Sequence, residues 1–146
     1  VSLIKDNIKL INELDNKIII NFKTSKLEIL LNSDSEQLSR VFFNLIKNSI
    51  ESIQDKKIDN IDLIGKIGIS INENVEKINF VIIDNGLGFG SFEDNIKDIL
   101  NPYFTTKKKG TGLGLSIVNK IINDHNGKIN FVSLENGAKI EIIFTK

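Results

Sequence analysis

The chain has 146 residues, enough for one domain with a sizeable core, and its apolar and charged contents of 40% and 26% are those of an ordinary globular protein. A formal net charge of +0 offers no bulk attraction to nucleic acid or to an anionic membrane surface. With no cysteine and a single histidine, His125, the sequence excludes disulfides, thiolate nucleophiles and multi-histidine metal centres, and it permits a reducing compartment.

No apolar run is long enough to span a bilayer, and no signal peptide is visible. Methionine is absent even at position one, which points to a piece of a longer protein. Val1 to Leu14 carries Leu3, Ile4, Ile8 and Ile11 at helical spacing, and residues 1–14 read as the remnant of a helix or linker from a preceding domain, with the domain proper at 15–146. Lys17–Phe22 and Leu27–Leu31 are β-rich runs and read as strands. Ser33-Asp34-Ser35-Glu36 is a capping box, which predicts a helix directly after it. Leu38, Val41, Phe42, Leu45, Ile46, Ser49, Ile50 and Ile53 then fall on one arc at about 100° per residue, while Asn44, Lys47, Asn48 and Glu51 fall together on the other side. Asp55–Gly65 is polar with scattered isoleucines and reads as a connection.

Ile67, Ile69 and Ile71 alternate as a half-buried strand, and after a turn Ile78–Ile83 forms a second, making an antiparallel hairpin that ends in Asp84-Asn85-Gly86-Leu87-Gly88-Phe89-Gly90. The next segment is irregular, with a short helical candidate at Glu93–Leu100 and the only proline, Pro102; about 91–110 reads as a lid. A second strong helix runs from about Gly114 to Asp124 and stops at Asn126-Gly127. Lys128–Leu134 and Ala138–Phe144 read as strands joined through Asn136-Gly137, a favoured tight-hairpin pair. This order predicts an α+β fold: a two-layer sandwich with helices on one face of a mixed sheet.

Several clusters carry chemistry. Asn44 and Asn48 are one helical turn apart, and Asn is a poor helix former. An amide oxygen there can complete the shell of Mg²⁺, which favours oxygen ligands and substrate phosphates; a plain solvated face is the simpler alternative for the pair viewed alone. Asp84 puts a carboxylate at a strand end before a glycine turn, where it can accept a hydrogen bond from an exocyclic amino group such as that of adenine. An Asp-Asn-Gly turn alone explains one glycine well and three alternating ones poorly. In Lys109-Gly110-Thr111-Gly112-Leu113-Gly114-Leu115 three more glycines alternate before a helix start, which offers free N–H groups and a positive dipole end to a phosphate. Lys107, Lys108 and Lys109 beside it can neutralise phosphate charge or form a solvated run. Neither cluster is a P-loop or a G-x-G-x-x-G loop, since both read G-x-G-x-G. His125, at a helix end with no nucleophile or metal pattern beside it, reads as structural.

Taken together, these blocks resemble the ATP-binding catalytic domain of sensor histidine kinases, within the superfamily of gyrase, Hsp90 and mismatch-repair ATPases. N-L-I-K-N-S-I-E-S (Asn44 to Ser52) is similar to the family's N box, D-N-G-L-G-F-G to its G1 box, P-Y-F-T-T-K (Pro102 to Lys107) to its F box, and K-G-T-G-L-G-L to its G2 box. The F-box to G2 stretch is most similar to nitrogen-regulation-type sensor kinases. The resemblance implies a Bergerat-type ATP-binding sandwich with ATP held between the N-box helix and a mobile lid. It implies that Asn48 coordinates Mg²⁺, that Asp84 binds the adenine amino group, and that Gly86 and Gly88 shape the adenine pocket. Gly110, Gly112 and Gly114 would close over the phosphates, with Thr111, Leu113 and Leu115 beside them, and Phe104 would anchor the lid. Lys47 and Lys107 are implied phosphate contacts, Glu51 and Thr106 belong to the same nucleotide set, and Asn44, Lys47 and Asn48 form the catalytic group. The implied partners are a histidine-bearing helical dimerisation domain of the same kinase and a response regulator, in the cytoplasm, without nucleic acid or direct membrane contact from this chain.

Two other readings fit parts of the pattern. A gyrase- or Hsp90-type ATPase clamp typically carries a glutamate where this chain has Asn44, and an amide is a poor general base. A non-enzymatic nucleotide-sensing module would not need every binding residue, yet all are present.

Overall fold

In this computed structural model, residues 1–12, 17–25, 35–88 and 114–146 are described. The expected strand at Leu27–Leu31, the Ser33-Asp34 half of the capping box, the helical candidate at Glu93–Leu100 and the lid at about 91–110 lie outside the described residues.

Five strands form one sheet: β1 (Ile19–Thr24), β2 (Lys66–Glu73), β3 (Lys77–Asp84), β4 (Gly127–Leu134) and β5 (Gly137–Thr145), in the spatial order β1-β2-β3-β5-β4. β1 runs parallel to β2 and all other neighbours are antiparallel, so the sheet is mixed as the sequence predicts. The register follows from the period-2 alternation of apolar residues. It aligns Phe22, Ile69, Ile82, Ile140 and Phe131 in a single row across all five strands. The next row on the same face runs Ile20, Ile67, Asp84, Ala138 and Ser133, so Asp84 belongs to the inward-facing set. Its carboxylate is therefore buried, at 7% exposure, rather than projected into solvent.

Helices α2 (Ser35–Asp59) and α3 (Gly114–Asp124) pack on that face and on each other, and α1 (Ser2–Asn12) packs against α2. All eight residues of the predicted α2 arc, Leu38 through Ile53, are buried. Phe42 of α2 meets Phe80 of β3 with ring centroids 4.9 Å apart, a tilted pair that locks helix to sheet. From α1, Ile4 enters the common core and Asn7 is buried, its Nδ2 donating to the Leu3 carbonyl at 2.9 Å and to Ser39 Oγ of α2 at 3.1 Å. α1 thus shares the core of the rest of the chain.

Two boundaries depart from the sequence reading. α2 does not stop near Ile53 but continues to Asp59, through residues read above as a connection. The apolar stripe ends at Ile53, yet Gln54-Asp55-Lys56-Lys57 holds good helix formers and no breaker, and Lys56 and Lys57 sit at the negative end of the helix dipole. In the last hairpin, Leu134 pairs with Gly137, so the turn residues are Glu135 and Asn136 rather than Asn136-Gly137. The cross-strand pairs Phe131–Ile140 and Ile129–Ile142 dictate that register, and Gly137 becomes the first residue of β5. At the end of α3, Asn126 adopts the left-handed conformation with φ 56° and terminates the helix, while His125 Nδ1 donates to the Ile121 carbonyl at 2.8 Å. Gly127 serves packing instead: a β-carbon there would lie 2.9 Å from Ile122 Cγ2.

Candidate nucleotide site

The site is assembled where α2 meets the turn that leaves β3. Asn44, Asn48, Ser52 and Lys56 follow one another at four-residue spacing and line a single stripe of α2. Asn44 and Asn48 are half-buried, and Lys47 is exposed with its Nζ 3.9 Å from Glu51 Oε1. With half the Lys47 side chain in water, that contact is weak and leaves the ammonium available for an anion.

At the far end of the stripe the helix grips the turn. Ser52 Oγ accepts the Leu87 N–H at 2.9 Å, and Lys56 Nζ donates to the Asn85 and Gly86 carbonyls at 3.1 and 3.2 Å. Asp84 Oδ1 accepts the Gly86 N–H at 2.8 Å, which orients the carboxylate. Asn85 ties the turn to the approach to β2: its Oδ1 accepts the Lys66 N–H at 2.8 Å and its Nδ2 donates to the Ile64 carbonyl at 2.8 Å. Asn48 therefore stands one helical turn from a turn whose first residue is the buried Asp84.

The glycines of this turn have separate reasons. At Gly86 a β-carbon would collide with Ser52 Oγ and lie 2.9 Å from the Ser52 backbone carbon, so the residue is small because α2 is pressed against it. Gly88 has φ 75°, which disfavours any side chain, and a β-carbon would lie 2.7 Å from the Gly137 carbonyl oxygen. A clean Asp-x-Gly-x-Gly signal in the sequence thus reflects contacts with α2 and with the last hairpin as well as any ligand.

Of the residues singled out from sequence, Asn44, Lys47, Asn48, Glu51, Asp84, Gly86 and Gly88 are described and brought to one region, the first four on α2 and the rest at the turn it grips. Gly114 opens α3, and Leu115 is half-buried against the core. Phe104, Thr106, Lys107, Gly110, Thr111, Gly112 and Leu113 lie outside the described residues. The sequence reading missed Ser52 and Lys56. Their signal was the four-residue spacing that continues past Asn48: Ser52 lay inside the predicted helix and the N box but was given no role, and Lys56 was lost because the helix was ended too early.

Among the described residues no group of three or more His, Cys, Asp or Glu is gathered to hold a metal, and no helix is long and apolar enough to cross a membrane. An amide oxygen at Asn48 fits a hard cation that keeps most of its shell as phosphate oxygens and water.

A family model for histidine kinase-, DNA gyrase B-, and HSP90-like ATPases matches residues 33–146. Sporulation kinase A of Bacillus subtilis is 38% identical over 132 residues, covering 90% of this chain and 20% of that protein. A putative NtrY-like sensor histidine kinase of Rickettsia bellii is 33% identical, again over 90% of this chain and 20% of the relative. The chain therefore spans about a fifth of the length of these two relatives. Among solved structures, the nucleotide-free catalytic domain of the histidine kinase ThkA superposes with TM-score 0.83 at 31% identity, over 99% of this chain and 91% of that one. ThkA in complex with the response regulator protein TrrA aligns with TM-score 0.78 at 28% identity, over 99% of this chain and 40% of that one.

Proposed function

We propose that this chain, which belongs to the histidine kinase-, DNA gyrase B-, and HSP90-like ATPase family, holds Mg-ATP against α2 and the Asp84–Gly88 turn and presents the γ-phosphate to a histidine carried by a separate helical domain. It is a histidine kinase-type ATP-binding domain, and its relatives are sensor kinases. The observation that carries the reading is the joining of the buried, oriented Asp84 carboxylate to the Asn48 stripe through Ser52.

In this reading Asp84 accepts a hydrogen bond from the adenine amino group, with Gly86 and Gly88 shaping the pocket by letting the turn close against α2 and the last hairpin. Asn48 holds Mg²⁺, with Asn44 and Lys47 beside it and Glu51 tempering the Lys47 charge. Magnesium supplies charge neutralisation at the phosphates. Lys107 and Gly110 to Leu115 complete the phosphate side, and Phe104 and Thr106 belong to the segment that covers it. Phosphoryl transfer of this kind rests on positioning and electrostatics, so the domain needs no nucleophile of its own. His125, whose Nδ1 donates to the Ile121 carbonyl at the C-terminus of α3, has a structural part in this reading, and the acceptor histidine lies elsewhere. A response regulator is the downstream partner in this reading, supported by the ThkA–TrrA complex.

The test adds a helical acceptor domain bearing its histidine to this chain and follows label from γ-labelled ATP. Label on the acceptor histidine is the expected result. ATP binding with no transfer to any acceptor would refute the kinase reading, and rapid steady-state hydrolysis by the chain alone would favour a gyrase-type clamp.

A further inference from the structure

The backbone of the turn after β3 is hydrogen-bonded group by group within the protein. The Asn85 N–H donates to the Lys66 carbonyl at 3.3 Å, the Gly86 N–H to Asp84 Oδ1, and the Leu87 N–H to Ser52 Oγ. The carbonyls of Asn85 and Gly86 both accept from the ammonium of Lys56. Five consecutive polar groups of a glycine-containing turn are thus held by protein before any ligand arrives. A turn of this composition left to itself would sample many conformations and would have to be ordered on binding. Two successive carbonyls converging on one ammonium suit lysine, which offers three donors and no acceptor.

We infer that Lys56 is a positioning residue for nucleotide recognition: by clamping the Asn85 and Gly86 carbonyls it pre-forms the turn that orients Asp84, and so sets both the affinity for adenine and the preference for adenine over a purine lacking the 6-amino group. The inference rests on the adenine-binding reading of Asp84 given above. Lys56 acts through the turn, by removing the ordering cost from the binding step. Its place on the Asn48–Ser52 stripe means that one helix sets the metal-facing side chain and the base-facing turn in a fixed relation.

The test uses the 146-residue chain and three variants: Lys56→Met, Lys56→Arg and, as a neighbouring control of the same charge change, Lys57→Met. Each is titrated with Mg-ATP, adenosine and Mg-ITP by calorimetry, with thermal melts alongside and amide exchange read at Gly86 and Leu87 without nucleotide. Lys56→Met is expected to raise the dissociation constants of ATP and adenosine by a common factor of about ten, the lower end for the loss of a charge-assisted hydrogen bond, and to narrow the ATP-to-ITP preference. Lys56→Arg is expected to restore most of both, since a guanidinium also reaches two carbonyls, and Lys57→Met to bind like the parent. An unchanged affinity in Lys56→Met overturns the inference. So does an equal loss for ATP and ITP, which marks general loosening. If the parent chain binds no ATP while Lys56→Met still accelerates exchange at Gly86 and Leu87, the nucleotide reading is refuted and the clamp stands as structural; unchanged exchange refutes the clamp itself.

Discussion

Gly137 offers a sharp test of how the last hairpin supports the site. It opens β5 with φ 155°, and a β-carbon built on it collides with the carbonyl oxygen of Asp84, lying also 2.8 Å from the Asp84 carbonyl carbon and 2.9 Å from the Asn85 Cα. Every atom in the way is backbone, at a strand end already held by β2, α2 and Lys56, so no side chain can rotate aside. Overpacking costs about 1–3 kcal/mol where neighbours can yield, and the unfavourable φ adds to it, so Gly137→Ala is expected to cost about 3 kcal/mol. Gly68, on the outer face of β2, supplies the contrast, since nothing lies within 4 Å of the position a β-carbon would take. Gly68→Ala is expected to be neutral or to gain about 0.5 kcal/mol from the reduced freedom of the unfolded chain. In urea, with a slope of about 1–3 kcal/mol per molar, the two variants should differ in midpoint by about 1 M or more. Adenosine titration should show weakened binding in Gly137→Ala, because Asp84 moves with its carbonyl, and parent-like binding in Gly68→Ala. Coincident urea midpoints, or a Gly137→Ala protein that binds adenosine as the parent does, would refute the account.

Asp84→Asn is expected to weaken ATP and adenosine alike by about tenfold or more, the worth of a hydrogen bond to a charged group, while Gly112→Ala or Gly114→Ala should weaken ATP more than adenosine. Equal losses of both ligands in all three variants would contradict that division between base and phosphate recognition. Asn48→Ala should abolish most of the difference between ATP binding with magnesium and with chelator; a variant that magnesium still stimulates as strongly as the parent is not missing a metal ligand. Asn7→Ala removes the buried bond to Ser39 and is expected to cost about 1 kcal/mol, lowering Tm by about 3–5 °C. An unchanged melt would mean that α1 does not share the cooperative unit.

Much of the fold was legible because it is local. The period-2 isoleucines of Ile67–Ile71 and Ile78–Ile82 define β2 and β3, and the eight-residue arc of α2 is buried in full. The C-terminal end of α2 was not legible. Once the apolar stripe stops at Ile53, periodicity carries no information, and helix propensity with the dipole-matched lysines extends the helix unseen. That one boundary hid Lys56. The hairpin turn was misassigned by one residue because Asn-Gly is a strong local signal, and the apolar pairing across β4 and β5 outweighed it.

The order of the N, G1, F and G2 motifs, together with the strand and helix periods, was enough to point to the family and the layer architecture and to single out Asp84 and Asn48 as candidates. Local patterns specify these because side-chain spacing along one element is a property of that element alone. The grip of Ser52 and Lys56 on the turn, the pressure of α2 that makes Gly86 small, and the contact of Gly137 with Asp84 are different in kind. Each joins segments 29 to 53 residues apart, and such contacts exist only once the sheet register and helix packing have brought those segments together.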